Sequence, residues 1–148
     1  YETITALVEK YGISPKNLRL EITETVMMDD MEKRLPLIER LREYGFLVEM
    51  DDFGSGYSSL NMLKDIPVDI LKIDMVFLYK TKNPDKAMKI LQLIIAMTEQ
   101  LGIGSITEGV ETKDQAWMLR DMGCHMFQGY YFSKPISLQD FEEKYLVA

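Results

Sequence analysis

The sequence predicts an α/β fold built on parallel strands, and three features predict it. Helix-like and strand-like segments alternate along the 148 residues, the order produced when helices join parallel strands. Three helical segments close on glycine directly before a strand-like run: "REYG" before "FLVEM", "QLG" before "IGSITE" and "RDMG" before "CHMFQG". A glycine there permits the left-handed turn that reverses the chain. The strand-like runs then end in polar, mostly acidic residues at intervals of roughly 20 to 36 residues, the length of a strand–helix unit.

The elements follow in order. A first helix is expected over 2–11, then a strand "LRLEI" over 18–22. The helix over 30–44 contains Pro36, which predicts a kink or a split. A strand "FLVEM" over 46–50 leads through the loop "GSGYSS" to a helix over 57–64, and "ILKID" over 70–74 reads as the third strand. The segment 84–101 begins with Pro84 and stops before Gly102, as helix start and stop signals require. Its stripe Met88, Leu91 and Ile95 is spaced to pack against the strands. "SITEG" over 105–109, a helix over 113–122, "MFQGYYF" over 126–132 and a helix over 137–145 complete the pattern. No low-complexity segment or linker divides the chain, so residues 1–148 read as one domain or part of one.

A net charge of −7 and an isoelectric point near 4.8 argue against binding a nucleic-acid polymer through a basic surface. The single cysteine, Cys124, excludes an internal disulfide and suits a reducing compartment. No apolar run reaches membrane-spanning length, "ILQLIIAM" being interrupted by Gln92, and no signal-peptide pattern opens the chain. The expectation is a soluble, cytoplasmic chain without membrane contact. Its first residue, Tyr1, reads as the start of a processed chain or of a piece of a longer one.

The strand ends carry the chemistry. Glu21 and Glu24 close the first strand, Asp51 and Asp52 the second, Lys72 and Asp74 the third, and Glu108 and Glu111 the fourth, while Gln128 sits in the fifth. In a parallel barrel all these ends converge on one face, where the active site lies. Singly, each is a solvated loop charge or a helix cap; in succession they describe an acidic mouth. Clustered carboxylates call for cations between them. An oxygen-rich set with one Lys and one Gln suits Mg²⁺ or Mn²⁺, and His125 with Cys124 is too few for zinc. Two such ions facing adjacent Asp51 and Asp52 would suit a phosphoryl substrate. "DFG" occurs in protein kinases too, but no "HRD" or glycine-rich phosphate loop accompanies it.

The blocks "LRLEITET", "DDFGSGYSSL", "LKID", "TEGVET" and "QGYYFSKPI", in this order and spacing, resemble the EAL-domain family of cyclic-di-GMP phosphodiesterases from about Leu18 onward. The resemblance implies a TIM-type (β/α) barrel and metal-dependent hydrolysis of one phosphodiester bond of cyclic di-GMP, giving linear pGpG, in bacterial second-messenger signalling. It implies two Mg²⁺ or Mn²⁺ ions per complete site. Glu21 and Asp51 resemble ligands of the first, and Asp51, Asp52 and Glu108 ligands of the second. Lys72 is similar to the lysine that holds the attacking water and offsets developing charge, and Glu108 to the general base. Gln128 resembles the glutamine beside that water. Glu24 looks like the anchor of the loop after the Asp pair, with Asp74 and Glu111 supporting the ligands from behind.

Two parts of the family pattern are absent: the signature Glu-Ala-Leu triplet and an asparagine of the next strand, both of which would precede Tyr1. A TIM barrel takes around 250 residues. The expectation is therefore a partial TIM-type barrel of about five parallel strands with flanking helices, the N-terminal strands missing. On that reading residues 1–148 are the C-terminal part of a single EAL domain, inactive or weakly metal-binding in isolation. A non-catalytic module that binds cyclic di-GMP or a protein partner is the alternative, and homodimer formation stays open.

Two expectations concern the first strand. Its outer edge should be covered by residues 1–17 or by another chain. Side-chain alternation also places Arg19 and Glu49 on the face of Glu21 and Asp51, one layer deeper. An Arg19–Glu49 ion pair should form there, and Arg19→Leu should cost roughly 3–5 kcal/mol if the pair is shielded from water.

Overall fold

The computed structural model describes residues 1–53, 60–76 and 81–146. Its strands are β1 (Arg19–Thr23), β2 (Leu47–Phe53), β3 (Ile70–Asp74), β4 (Gly104–Glu108) and β5 (Met126–Phe127). They form one parallel sheet in the order β1-β2-β3-β4-β5. Helices α1 (Glu2–Tyr11), α2 (Glu24–Met28), α3 (Met31–Tyr44), α4 (Leu60–Asp65), α5 (Pro84–Gln100), α6 (Lys113–Asp121) and α7 (Leu138–Phe141) lie between and beyond the strands. Helix-facing strand residues Val48, Met50, Leu71 and Ile73 meet Ile38 of α3, Leu91 and Ile95 of α5 and Leu119 of α6 in one buried core. The apolar stripe of α5 thus packs inward as its spacing predicts.

Chain reversal works as the sequence indicates. Gly45, Gly102 and Gly123, which follow α3, α5 and α6, all have positive φ. Asn83 caps α5 ahead of Pro84, and Thr112 with Gln115 forms a capping box on α6, so both helices start with orphan amides satisfied.

Three expectations change. Pro36 does not split α3, which runs from Met31 to Tyr44 with the proline inside; the packing of Ile38 into the core holds the helix together across it. A short helix, α2, follows β1, with the Thr23 side chain accepting from the Val26 amide. The fifth strand ends at Phe127 rather than Phe132, because the chain turns at Gly129 to lie on Val110. Among the described residues β1 pairs with β2, and residues 1–17 add no strand to its outer edge. Instead, α1 turns toward α3: Glu9 accepts from the Tyr44 hydroxyl at 2.8 Å, and Tyr1 packs edge-on against the Tyr44 ring.

At the opposite end of the sheet from the acidic residues, Asp69 ties three elements together. Its carboxylate receives a forked pair of bonds from Arg42 of α3, at 2.7 to 3.2 Å, and accepts the Val48 amide at 2.9 Å. Nothing in the strand pattern signals this clamp.

The Arg19–Glu49 pair forms, with Nη1 donating to Oε1 at 3.0 Å. Glu49 is buried, but the Arg19 side chain is 46% exposed, so water screens one partner. Arg19→Leu is therefore expected to cost roughly 2 kcal/mol, below the range for a fully shielded pair. Chemical denaturation of the single and double variants checks this, the loss shrinking when Glu49 is also replaced by an apolar residue.

Candidate active site

Every side chain of the acidic mouth is set by its strand. Alternation turns Glu21, Glu49, Asp51, Lys72 and Glu108 to the inner face while Ile22, Met50, Leu71, Ile73 and Thr107 face the helices. Lys72, in the middle of β3, is 4% exposed. Its Nζ donates to Glu21 at 2.9 Å, Glu108 at 3.0 Å and Asp51 at 3.2 Å. Three carboxylates from β1, β2 and β4 thus share one ammonium, and its three N–H donors are all used.

The adjacent carboxylates of β2 are accommodated by a bulge. Met50 pairs with Leu71 and Phe53 with Ile73, so Asp51 and Asp52 together oppose Lys72. In a regular strand they would face opposite sides, and Asp52 would enter the apolar core. The extra residue returns Phe53 to the core beside Met50 and leaves Asp52 exposed. Asp52 has φ 60°, and its amide donates to its neighbour's Oδ1 at 3.0 Å. A non-glycine residue in this region carries strain of the kind found where function requires it.

The other predicted residues stand around this centre. Gln128 lies just past β5, exposed, with its backbone bonded to Thr107 and Val110 on either side of Glu108. Asp74 closes β3 and accepts the Val76 amide at 2.8 Å, which makes it a turn-forming residue. Glu24 is buried at the start of α2. Glu111 is exposed ahead of α6, its amide donating to Gln115. The loop "GSGYSS" lies outside the described residues. His125 is exposed, and Cys124 is buried against Thr107 at 3.2 Å; neither joins the acidic cluster.

Burial opposes the charge on Lys72, but its hydrogen bonds to Glu21, Glu108 and Asp51 outweigh it and hold its pKa well above the ordinary 10.5. That stabilisation is fully present below the ordinary value and is lost as pH rises through the folded one. Glu108 moves the other way from most paired carboxylates: burial raises its pKa, Lys72 lowers it only in part, and Asp51 adds repulsion. An acid whose folded pKa is raised costs stability when it ionises, so the fold loses stability as pH rises through that window. Glu108→Gln is expected to raise the unfolding midpoint at neutral pH, with the gain shrinking as pH falls below the folded pKa. Thermal melts across pH 4 to 8 check this.

Whether these residues suit a divalent cation can be asked of the donor set. It is all oxygen, without thiolate or imidazole, the preference of Mg²⁺ and Mn²⁺, and three of its carboxylates already converge on one positive charge. Among the described residues no group of three or more His, Cys, Asp or Glu is arranged to hold a metal by itself; the cation at the centre is the Lys72 ammonium. The chemistry fits, with further ligands required.

Comparison with known proteins agrees with this geometry. The EAL domain profile matches residues 1–135. Cyclic di-GMP phosphodiesterase NbdA of Pseudomonas aeruginosa is 43% identical over 136 residues, which cover 92% of this chain and 17% of that protein. Among solved structures, the PaMucR phosphodiesterase in its c-di-GMP complex superposes with a TM-score of 0.86 at 32% identity, over 95% of this chain and 57% of that one. The manganese and cy-diGMP complex of Klebsiella pneumoniae BlrP1 gives 0.81 at 29% identity, over 90% and 35%. The chain therefore spans only part of each relative. Among the described residues no helix is long and apolar enough to cross a membrane. With five parallel strands, acidic strand ends on one face and a profile match over nearly its whole length, this chain belongs to the EAL domain family.

Proposed function

We propose that this chain carries much of the active site of a cyclic-di-GMP phosphodiesterase, cleaving one phosphodiester bond to give linear pGpG. The observation that supports this most is the convergence of Glu21, Asp51 and Glu108, from three strands, on the buried Lys72. A lysine held this way is fully charged and fixed in place, which suits an electrostatic role at a phosphoryl group. Its ammonium would position the attacking water and offset charge growing on the phosphate oxygens. Glu108 would take the proton from that water, and its raised pKa makes it a stronger base than an ordinary carboxylate. Gln128, exposed beside Glu108, would orient the same water through its amide. Glu21, Asp51, Asp52 and Glu108 would hold Mg²⁺ or Mn²⁺, two per complete site, supplying Lewis acidity at the phosphodiester. Glu24, Asp74 and Glu111 would support these groups from behind.

The test uses a complete EAL domain containing this sequence and the upstream Glu and Asn ligands. It is expected to convert cyclic di-GMP to pGpG with Mn²⁺ or Mg²⁺ and to stop when a chelator is added. Residues 1–148 alone are expected to show little or no turnover. A complete domain that binds the dinucleotide without cleaving it overturns the enzymatic reading in favour of a binding module.

A further inference from the structure

The chemistry proposed for the site leaves one buried acid on its own face unused. Glu49 stands two residues before Asp51 on β2, in register with Glu21 of β1 and Ile70 of β3. It is 2% exposed. The Glu21–Lys72 bridge joins β1 to β3 and so crosses β2, rising from the level of Glu49 to that of the Asp51–Asp52 bulge. Glu49 thus lies beneath the bridge, and carboxylates in register on one face repel each other. Here each has its own cation: Glu21 takes Lys72 at 2.9 Å and Glu49 takes Arg19 at 3.0 Å. The arginine reaches Glu49 diagonally, from the layer below Glu21, and its Nη1 also approaches the Met126 sulfur at 4.0 Å.

Lys72 has no donor left for a fourth carboxylate. Without Arg19, Glu49 becomes an uncompensated buried anion under a saturated ammonium, which favours any rearrangement that brings a cation to it. Lys72 stands diagonally from Glu49 on β3, as Arg19 does on β1, within the reach of a long side chain, and any bond it makes to Glu49 is one withdrawn from Glu21, Asp51 or Glu108.

We propose that Arg19 is a positioning residue of this site: by holding Glu49, it leaves the Lys72 ammonium to Glu21, Asp51 and Glu108 alone. The inference rests on the phosphodiesterase reading only for its effect on turnover; the effect on Lys72 geometry stands apart from it. Arg19→Met should bring Lys72 Nζ within hydrogen-bonding distance of Glu49 and away from Glu21 in a crystal structure of this chain. In the complete domain it should lower kcat about ten-fold or more with KM within about two-fold, because a group acting at the transition state has moved. Glu49→Gln alone should leave both close to wild type, and adding it to Arg19→Met should restore them. A merely structural pair would instead lose and regain activity in step with stability, with Lys72 keeping its three partners in Arg19→Met.

The proposal is overturned if Lys72 keeps its three partners in Arg19→Met, or if Glu49→Gln fails to rescue it. A wild-type domain without phosphodiesterase activity removes the functional reading, and the crystallographic comparison still decides the positioning. Should Arg19→Met not fold, Arg19→Gln, which stays polar but loses both the charge and the reach of the guanidinium, carries the same expectations.

Discussion

Lys72→Ala in a complete EAL domain is expected to lower kcat for cyclic di-GMP by about two to four orders of magnitude, the range for losing a charged group that acts in the transition state. Lys72 is buried, its three donors are committed, and its charge is held by the hydrogen bonds it donates to Glu21, Glu108 and Asp51. Asp51→Ala is expected to lose as much, for a different reason. Asp51 Oδ1 both receives Lys72 and accepts the Asp52 amide, so its removal slackens the bulge that presents the second carboxylate. The two losses should be far from additive, since both residues act through one cluster. Steady-state assays of the two single variants and the double decide the matter. Turnover within about three-fold of wild type in either single variant would refute the assigned roles.

The second large effect is structural. Gly129→Ala is expected to destabilise the domain by about 3 kcal/mol or more, the scale of steric overpacking against fixed backbone. A Cβ there would lie 2.1 Å from the Val110 carbonyl oxygen and 2.3 Å from its amide nitrogen. Val110 is itself buried and bonded on both sides, its amide to the Gln128 carbonyl and its carbonyl to the Tyr131 amide. The clash has no flexible side chain to yield, so either β5 must lift or the β4 end must shift. Site residues Gln128 and Glu108 adjoin these two ends, and activity should fall with stability. A fall in the unfolding midpoint of about 6 °C or more is expected. A midpoint within about 2 °C of wild type would show that the backbone yields cheaply.

Much of this was legible in one dimension. The period of apolar residues places the strands, and the glycines after α3, α5 and α6 mark the reversals. These signals are local: a turn's φ and a strand's alternation depend on neighbours within a few residues. The recurrence of acidic residues at strand ends, together with the blocks "DDFG", "LKID" and "QGYYF", identifies Glu21, Asp51, Lys72 and Glu108 as one group. The Arg19–Glu49 pair follows from alternation alone.

What the tertiary structure decided involves residues far apart in the chain. Period-2 reasoning puts Asp51 and Asp52 on opposite faces; only the pairing of Phe53 with Ile73 reveals the bulge that keeps Asp52 out of the core. The fifth strand reads as seven residues because "MFQGYYF" is rich in strand formers, yet it stops at Phe127 because Gly129 must lie on Val110, nineteen positions earlier. Arg42 and Asp69, separated by 27 residues, join through a forked ion pair that no pattern announces. The sharing of Lys72 among three strands is likewise a product of register. Composition and periodicity determine which residues can meet on the inner face. The distances at which they meet, and which carboxylate takes which cation, depend on how the sheet brings β1, β2, β3 and β4 together.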